Sequence, residues 1–387
     1  MMEQNLKEKI FQETRDLRQE LHRYPELSGN EKETIKKLKK FFHKLNPDQF
    51  SENIGSNSVA WTFQPENPVK TIMFRADMDA LPIPDEIEAP YKSDFENVGH
   101  KCGHDGHMAI LSGFAELLSR NRPKNTRVVL LFQAEEETGQ GAEKVVNDSW
   151  FGKINPDYVF GLHNLPGFKK HTVILRQNIF ASASVGIKIK LKGKSAHAGQ
   201  PQDGISPAMG IARLSTFIQK ELDYAKFEKF CLATIIHIRL GEVAFGTSPG
   251  EADFMLTLRA AKEEELELLT EMINEKTRVI CKEENLKFEV SFTERFPSTV
   301  NHEEAVNLIS SSAESLSLDT TFPVEPFRWS EDFGHYLKNN KGAFFGLGAG
   351  KEAPALHNPD YDFPDEILMT GVKLFFEIYS RIDKNGR

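Results

Sequence analysis

The sequence predicts an α/β fold in which one domain is interrupted by a second, smaller one. The first half of the chain alternates short apolar runs with helical patterns. From about 182 to 293 the pattern changes to strands in which apolar and polar residues alternate, and beyond 293 the first pattern returns. Alternating strands and helices indicate an α/β sheet, whereas alternation within a strand indicates a sheet with one face in water.

Three buried strands are predicted in the first half of the chain, in the runs VKTIMFRA, TRVVLLFQ and DYVFGLH. Short, continuous apolar runs are typical of strands covered on both faces. The helix HMAILSGFAELLSR lies between the first two of them. Ligands gather at the carboxyl ends of strands in open α/β sheets. The positions of Asp77, Glu136 and His163 at these ends therefore indicate a functional site.

The smaller domain is predicted over 182–293, between a first part of the main domain at 1–181 and a last part at 294–387. Its strands SVGIKIKLKG, CLATIIHIRL, ADFMLTLRA and LKFEVSF alternate with two helical segments in the order βαββαβ. This order, together with the alternation inside the strands, favours a ferredoxin-like α+β domain with one wet sheet face. The strand AFFGLG and a last helix from about Pro364 complete the main domain.

The composition is that of an ordinary globular chain, with 387 residues of which 39% are hydrophobic and 27% charged. A formal net charge of −9 argues against nucleic acid and anionic membranes as partners. The N-terminal segment predicts a charged surface helix without a signal peptide, and no apolar run is long enough to span a bilayer. The three cysteines, Cys102, Cys231 and Cys281, form no disulfide framework, so we expect a cytoplasmic protein.

The stretch HKCGHDGHMA concentrates three histidines, a cysteine and an aspartate in ten residues. Taken alone it is compatible with part of a metal site, with a redox thiol at Cys102, or with the His-rich start of an ordinary helix. The last alternative is the simplest, because His100, His104 and His107 would cap and face such a helix. Partners elsewhere in the chain must decide between the three.

Four further motifs, RADMDALP, FQAEEETGQGA, LHNLP and ALHNPDYDF, supply acidic and histidine side chains. Taken alone, a run of acidic residues is more often part of a solvated face, and a histidine at the end of a strand is more often satisfied by ordinary hydrogen bonds. Repeated at the strand ends of one α/β domain, a thiolate, several imidazoles and several carboxylates predict a site for one or two divalent transition ions. Two such ions can share a water and lower its pKa, and a free carboxylate beside them can take its proton.

The chain resembles the amidohydrolase branch of the M20 metallopeptidase family in motifs that occur in the family's order, namely LHRYPELSGNEKET, RADMDALPI, HKCGHDGHMA, FQAEEETGQGA, LHNLP, SEDFGHY and LHNPDYDF. That branch includes N-acyl-amino-acid deacylases, hippurate hydrolases and N-acetyl-diaminopimelate deacetylases. The resemblance covers nearly the whole chain, and the Cys-Gly-His-Asp-x-His element is specific to the branch. It implies a di-metal catalytic domain with a central mixed sheet, interrupted by a ferredoxin-like lid or dimerisation domain.

The resemblance also implies roles for individual residues. The implied metal ligands are Cys102, which bridges the ions, and His104, Glu137, His163 and His357. Glu136 is implied as the general base, being the first of the family's paired glutamates. Because three glutamates are consecutive, we fix the register by aligning Gly141 and Ala142 with the end of the family motif, which leaves Glu135 outside the pair.

Three nearby residues are expected to act without touching the metals. Asp77 stands where other branches have a metal-binding histidine, and Asp79 stands where they have its orienting aspartate. In this branch both are expected to orient ligands through hydrogen bonds. For His107, a helix residue packed against the sheet is the favoured interpretation.

Two residues of the smaller domain are candidates for contact with substrate. His197, in the loop GKSAHAGQPQDGISP, corresponds to the lid histidine with which the family stabilises the tetrahedral oxyanion. The chain departs from the family at Gly246, in GTSPGEADF, where relatives have an asparagine that helps to hold the substrate. Either the substrate differs from that of the relatives, or another group, Arg259 or a backbone amide, holds it instead.

The sequence therefore predicts a cytoplasmic amidohydrolase that cleaves the amide bond of an N-acyl amino acid or small peptide. Two divalent ions are the expected cofactor, with Mn or Zn favoured and Co or Ni also open. A homodimer through the lid domain is an expected assembly, and no nucleic acid or membrane partner is expected. A dipeptidase or aminopeptidase of the same family and a non-catalytic metal-containing binding protein are the alternatives.

Overall fold

The computed structural model describes residues 2–384 of the chain, with side chains for 6–384. It divides into two compact units. The larger unit comprises the chain up to Phe180, the segment Thr299–Glu325 and the chain from Asp332. The smaller unit comprises Ala181–Ser298 and Pro326–Glu331.

The helices are, in chain order, α1 (Met2–Arg23), α2 (Lys32–His43), α3 (His104–Arg120), α4 (Gly141–Asn147), α5 (Ser149–Ile154), α6 (Ala208–Thr216), α7 (Glu263–Glu283), α8 (Glu303–Ser315), α9 (Gly334–Leu337) and α10 (Leu368–Lys384). A π-helical turn, Phe217–Glu221, continues α6. No helix of residues 2–384 combines the length and the apolar character that crossing a bilayer requires.

The strands are β1 (Gln49–Ile54), β2 (Ser58–Phe63), β3 (Lys70–Asp77), β4 (Thr126–Gln133), β5 (Tyr158–Pro166), β6 (Val173–Ile174), β7 (Asn178–Ala181), β8 (Ala183–Lys192), β9 (Ala196–His197), β10 (Cys231–Leu240), β11 (Thr247–Ser248), β12 (Glu251–Ala260), β13 (Lys287–Phe296), β14 (Thr299–Asn301), β15 (Thr320–Thr321) and β16 (Lys341–Gly350). The three strands predicted in the first half of the sequence are β3, β4 and β5.

The larger unit is built on an eight-stranded sheet in the order β1-β2-β4-β3-β5-β16-β6-β15. Its centre is parallel, because β3 pairs in parallel with β4 and β5, and β5 pairs in parallel with β16. The β1–β2 and β2–β4 pairs are antiparallel, which confirms the predicted mixed sheet. The parallel strands end at the same edge, so the residues that follow β3 and β4 and those at the end of β5 lie side by side.

Helix α3 is the next element after β3 in the chain, and nearly all of its residues are buried. Aromatic packing joins it to both neighbours: the Phe74 ring of β3 lies 4.8 Å from the Phe114 ring of α3 and 4.9 Å from the Phe375 ring of α10. Burying side chains of this size stabilises the fold by roughly 1.5–3 kcal/mol each. The N-terminus of α3 is thus held firmly at the carboxyl edge of the sheet.

Helix α1 is less superficial than the sequence predicts. Arg18 and His22 are both fully buried on it. Arg18 donates hydrogen bonds of 2.8 Å to the carboxylates of Asp362 and Asp365, and His22 Nδ1 lies 2.8 Å from the carboxylate of Asp105. The prediction of a charged surface helix is wrong for Arg18 and His22, because both side chains are buried and paired with carboxylates inside the protein.

The smaller unit contains a four-stranded antiparallel sheet in the order β10-β12-β8-β13, with α6 between β8 and β10 and α7 between β12 and β13. The apolar side chains of β8 are buried together with those of α6 and α7, whereas the lysines that alternate with them are partly exposed. The sheet therefore has one covered and one wet face. The predicted boundaries of this domain are 182 and 293, whereas the compact unit runs over 181–298 and also includes 326–331.

Candidate metal centre

The candidate site of the larger unit begins at the turn between the β3 segment and α3. Cys102 lies just before α3, and His104 is its first residue. Gly103 makes this turn possible, because its φ is +94° and a Cβ there would lie only 2.3 Å from Asn164 Oδ1. The N-terminus of α3 also favours a negative charge on the neighbouring Cys102 sulfur.

The three glutamates after β4 take three different directions. Glu135, with a φ of +59°, directs its side chain to an ion pair with Lys144. The carboxylate of Asp79 accepts the backbone N–H groups of Glu136 at 3.1 Å and of Glu137 at 3.0 Å. The side chains of Glu136 and Glu137 thereby face His104, with oxygens 3.9 Å and 3.8 Å from its Nε2.

Two further histidines of the site lie far from Cys102 in the sequence. His163 lies in β5, and its Nε2 is 3.5 Å from the Cys102 sulfur. His357 follows β16 with a φ of +67°, and its Nε2 lies 3.8 Å from Glu137 Oε1. Left-handed backbone at a residue other than glycine costs energy and is concentrated at functional sites.

Among the groups of potential metal ligands at this site, two share Cys102. The first, which we call the inner triad, is Cys102, His104 and His163, all buried. The second, the outer triad, is Cys102, Glu137 and His357, of which His357 is exposed. Within each triad the ligand atoms lie within 4.8 Å of one another. The five ligands predicted from the family resemblance are thus brought together, with Cys102 in both groups.

The unpaired atoms at the centre of the site fit a cation. His104 Nε2 and Glu137 Oε1 are buried without a hydrogen-bond partner among the residues that the structure describes, and they lie 3.8 Å apart. Ligand atoms bound at about 2.0–2.3 Å to one ion lie roughly 3–4 Å from each other. Buried polar atoms are nearly always satisfied, so these two indicate a bound metal ion.

The shifted pKa values of three side chains of the site also fit a bound cation. Burial raises the pKa of the Glu137 carboxyl to about 8. Burial alone would lower the pKa of His104, but the surrounding carboxylates, led by Asp77, raise it to about 10. Burial and the nearby His107 hold the pKa of His163 well below its usual range, which leaves it in the neutral form that binds metals. Without a metal the site therefore takes up protons that a divalent cation would displace.

Asp77 and Asp79 lie next to His104 and the paired glutamates. Asp77 accepts hydrogen bonds from Arg75 at 2.5 Å and from His107 at 2.6 Å, and its Oδ2 lies 3.7 Å from His104 Nε2. The backbone oxygen of Asp79 is 2.8 Å from His104 Nδ1. Asp79 thus orients His104 with its backbone and the paired glutamates with its carboxylate.

His107 and His100 flank the ligands. The Nδ1 of His107 contacts Asp77 and its Nε2 lies 2.5 Å from Asn164 Oδ1, so both ring nitrogens already have partners. His100 is fully buried, and neither of its ring nitrogens has a hydrogen-bond partner within the described part of the chain. The packed-helix interpretation of His107 agrees with these contacts.

Sequence reasoning missed several residues that support the site. Arg75 joins Asp77 to Asp332, with hydrogen bonds of 2.5 and 2.7 Å, and Asn164 contacts His107. Each lies beside a quoted motif residue, in RADMD, SEDFGHY or LHNLP. Their burial and partners depend on contacts between segments far apart in the sequence, so no local pattern predicts them.

The two remaining predicted residues belong to the smaller unit. His197 is exposed on β9, which pairs with β11, and its Nδ1 accepts the backbone N–H of Gly199 at 3.0 Å. Arg259, at the end of β12, donates to the backbone oxygen of Arg328 at 3.0 Å and to Ser330 Oγ at 3.1 Å. No carboxylate pairs with the Arg259 guanidinium among residues 2–384.

A site that could hold divalent ions beside a buried glutamate is typical of metal-dependent hydrolases, in which bound ions activate water for attack on a carbonyl group. The chain belongs to peptidase family M20/M25/M40, whose family model matches residues 73–381. The membership confirms the family predicted from the motifs.

The relatives narrow the chemistry to amide hydrolysis. Hippurate hydrolase of Campylobacter jejuni is 30% identical over 372 residues, which cover 94% of each chain. N-acetyl-L-cysteine deacetylase of Bacillus subtilis is 30% identical over 373 residues, 95% of this chain and 87% of the relative. The fold matches that of the YXEP protein of Bacillus subtilis, described as a dinuclear metal-binding peptidase of the M20 family, with a TM-score of 0.82, 24% identity and coverage of 97% and 99%. The chain is a metal-dependent hydrolase of amide bonds.

Proposed function

We propose that the chain hydrolyses the amide bond of N-acyl amino acids with two divalent ions held by five side chains. The observation that carries this proposal is the pair of triads, each with three ligand atoms within 4.8 Å and both containing Cys102. A thiolate shared by two triads suits a bridging ligand. Mn or Zn is the favoured metal, because thiolate, imidazole and carboxylate together accept both.

Glu136 is the proposed general base. Its side chain is buried, its Oε1 accepts the backbone N–H of Asp332 at 3.4 Å, and its Oε2 lies 3.9 Å from His104 Nε2. Divalent ions held by the five side chains would lower the pKa of a bound water and polarise the carbonyl oxygen of the substrate. Glu136 takes the proton of the attacking water and returns it to the departing amine. Glu135 is unsuited to this role, because its carboxylate is paired with Lys144.

His197 and Arg259 are proposed to act on the substrate. The exposed imidazole of His197 is suited to donate a hydrogen bond to the oxyanion that develops in the transition state. Arg259 is half-buried, and burial lowers its pKa. With no carboxylate paired to it among the described residues, its guanidinium is suited to bind the carboxylate of the substrate. The position of Gly246 is open, because no atom of the described residues other than its chain neighbours lies within 4 Å of where a Cβ would be.

The smaller unit is the proposed lid and dimerisation domain. Strand β10 is an edge strand, and its Ile236 and Ile238 side chains are 59% and 44% exposed. An apolar edge strand pairs readily with another strand, and a second copy of the chain is the proposed partner. The proposed compartment is the cytoplasm, because Cys102, Cys231 and Cys281 are all free thiols.

A substrate screen on metal-stripped protein tests the function. N-acyl amino acids and free dipeptides are offered with Mn, Zn and Co added back separately. We expect hydrolysis of N-acyl amino acids that requires added metal. Preference for free dipeptides would favour a peptidase, and metal binding without turnover of either class would favour a binding protein.

A further inference from the structure

Lys101 is a buried lysine that precedes the shared ligand Cys102 and has no role in the proposed mechanism. Its side chain has no exposed surface. Its ammonium group donates to the carboxylate of Asp85 and, at 2.9 Å, to the backbone oxygen of Tyr361. Burying a charged lysine is costly unless it is fully paired, so this arrangement calls for a structural or functional reason.

Lys101 contacts both ends of the turn that carries His357. Its backbone oxygen accepts the N–H of His357 at 2.8 Å, and its ammonium holds the backbone oxygen of Tyr361 at the other end. The turn is closed by a hydrogen bond of 3.0 Å from the N–H of Tyr361 to the backbone oxygen of Asn358. The backbone N–H of Glu86 donates to the backbone oxygen of Pro359 in the middle of the turn at 2.9 Å. Lys101 is therefore the residue that holds both ends of the turn in which His357 has its left-handed φ of +67°.

The two triads differ in how firmly their histidines are held. In the inner triad, His104 and His163 are buried on α3 and β5. In the outer triad, the His357 side chain is 51% exposed and lies on a loop. A ligand on an exposed loop loses conformational freedom when it binds a metal, unless other contacts have already fixed it.

We propose that Lys101 is a positioning residue that fixes His357 and thereby sets the affinity of the outer triad for its metal ion. The inference rests on the proposed ligand set. Lys101 acts through the His357 turn and touches neither the ion nor the substrate. The inner triad does not depend on it in this way, because His104 and His163 are held by α3 and β5.

Replacing Lys101 by methionine removes the ammonium but keeps most of the side-chain volume. Asp85 keeps three other partners in this variant: His22 Nε2 at 3.1 Å and the backbone N–H groups of Ile87 and Ser93. Its charge is therefore not left unpaired. If Lys101→Met alone does not fold, the double variant Lys101→Met/Asp85→Asn removes both charges and carries the same test.

The test is a titration of the metal-free protein with Co²⁺ against a competing chelator, which separates the two binding steps. The step that His357→Ala abolishes is assigned to the outer triad. We expect Lys101→Met to weaken that step by about 10- to 100-fold, the usual effect of losing a residue that orients a ligand, and to leave the other step unchanged. Tyr361→Phe is the control, because it loses the hydrogen bond with Asn164 but keeps the backbone oxygen that Lys101 binds.

The outcomes separate this inference from the proposed function. A selective loss at the outer triad in Lys101→Met but not in Tyr361→Phe would support the positioning role. Equal weakening of both steps, or no change in either, would overturn it. If the unmodified protein bound fewer than two ions, the proposed ligand set itself would be wrong.

Discussion

The carboxylate of Asp79 offers the sharpest test of how the paired glutamates are held. Its Oδ1 accepts the N–H of Glu136, and its Oδ2 accepts the N–H of Glu137 and, at 2.6 Å, the hydroxyl of Ser28. In Asp79→Asn one oxygen becomes an amino group. Each carboxylate oxygen accepts one glutamate N–H, so in either orientation of the asparagine amide its NH₂ group faces the N–H of Glu136 or of Glu137. At least one hydrogen bond is then lost, and two N–H donors face each other.

The magnitude follows from the kind of bond that is lost. Hydrogen bonds to a charged group contribute about 1.5–3 kcal/mol. At about 1.4 kcal/mol per tenfold change, Asp79→Asn should lower kcat/KM by about 10- to 150-fold. The loss arises because Glu136 and Glu137 shift together, so the affinity for metal should fall as well.

The assay measures kcat/KM for the best N-acyl amino acid together with the metal content of the protein. Ser28→Ala is the matched control, because it removes one bond to Asp79 and keeps both glutamate N–H groups paired. Its effect on kcat/KM should be smaller than that of Asp79→Asn, because Ser28 donates its hydroxyl to Asp79 and both glutamate N–H groups keep their acceptor. An Asp79→Asn variant within about twofold of the unmodified protein would refute the role of Asp79.

Three further predictions concern the surroundings of the site. Gly103→Ala should lower the melting temperature and the metal content, because its Cβ would meet Asn164 Oδ1 at 2.3 Å, whereas Gly152→Ala, with nothing within 4 Å, should do neither. Glu135→Gln should keep kcat/KM within about threefold, because it loses only a partly exposed ion pair with Lys144; a loss of orders of magnitude would shift the base to Glu135. Burial alone would lower the pKa of His22, but hydrogen bonds to Asp105 and Asp85 raise it to about 9. That stabilisation is complete below about pH 6.5 and is lost as the pH rises through 9, so the contribution of His22 to the free energy of unfolding of the metal-free protein should fall by roughly 3 kcal/mol over this range. In chemical denaturation His22→Gln should remove this part of the pH dependence and leave the part due to His104 and Glu137, and an unchanged slope would contradict the role of His22.

Local patterns predicted much of the fold. Strands β3, β4 and β5 follow the predicted apolar runs because a strand covered on both faces must be apolar throughout. The alternation in β8 follows from its single covered face, with Val185, Ile187, Ile189 and Leu191 buried. Hydropathy could not predict the buried Arg18 of α1, because the two carboxylates to which it donates hydrogen bonds lie more than 300 residues away along the chain.

The candidate site was predictable as a set of residues but not as an arrangement. The motifs supplied five candidate ligands, and the structure brings them into two triads. The sequence did not predict that the Asp79 carboxylate holds the backbone of the paired glutamates, or that Lys101 reaches across to the His357 turn. Both depend on backbone hydrogen bonds between distant segments, which side-chain patterns do not record.

The central claim is that Glu136 moves the proton in a metal-dependent amide hydrolysis. Glu136→Gln keeps the size and polarity of the side chain but cannot accept that proton. The decisive measurement is kcat for an N-acyl amino acid and metal content on the same preparation of this variant. We predict two bound ions, as in the unmodified protein, and a kcat lower by about 10²–10⁴-fold. Retained turnover with both ions bound would contradict the assignment and leave Glu135 and Glu137 as the remaining candidates for the base.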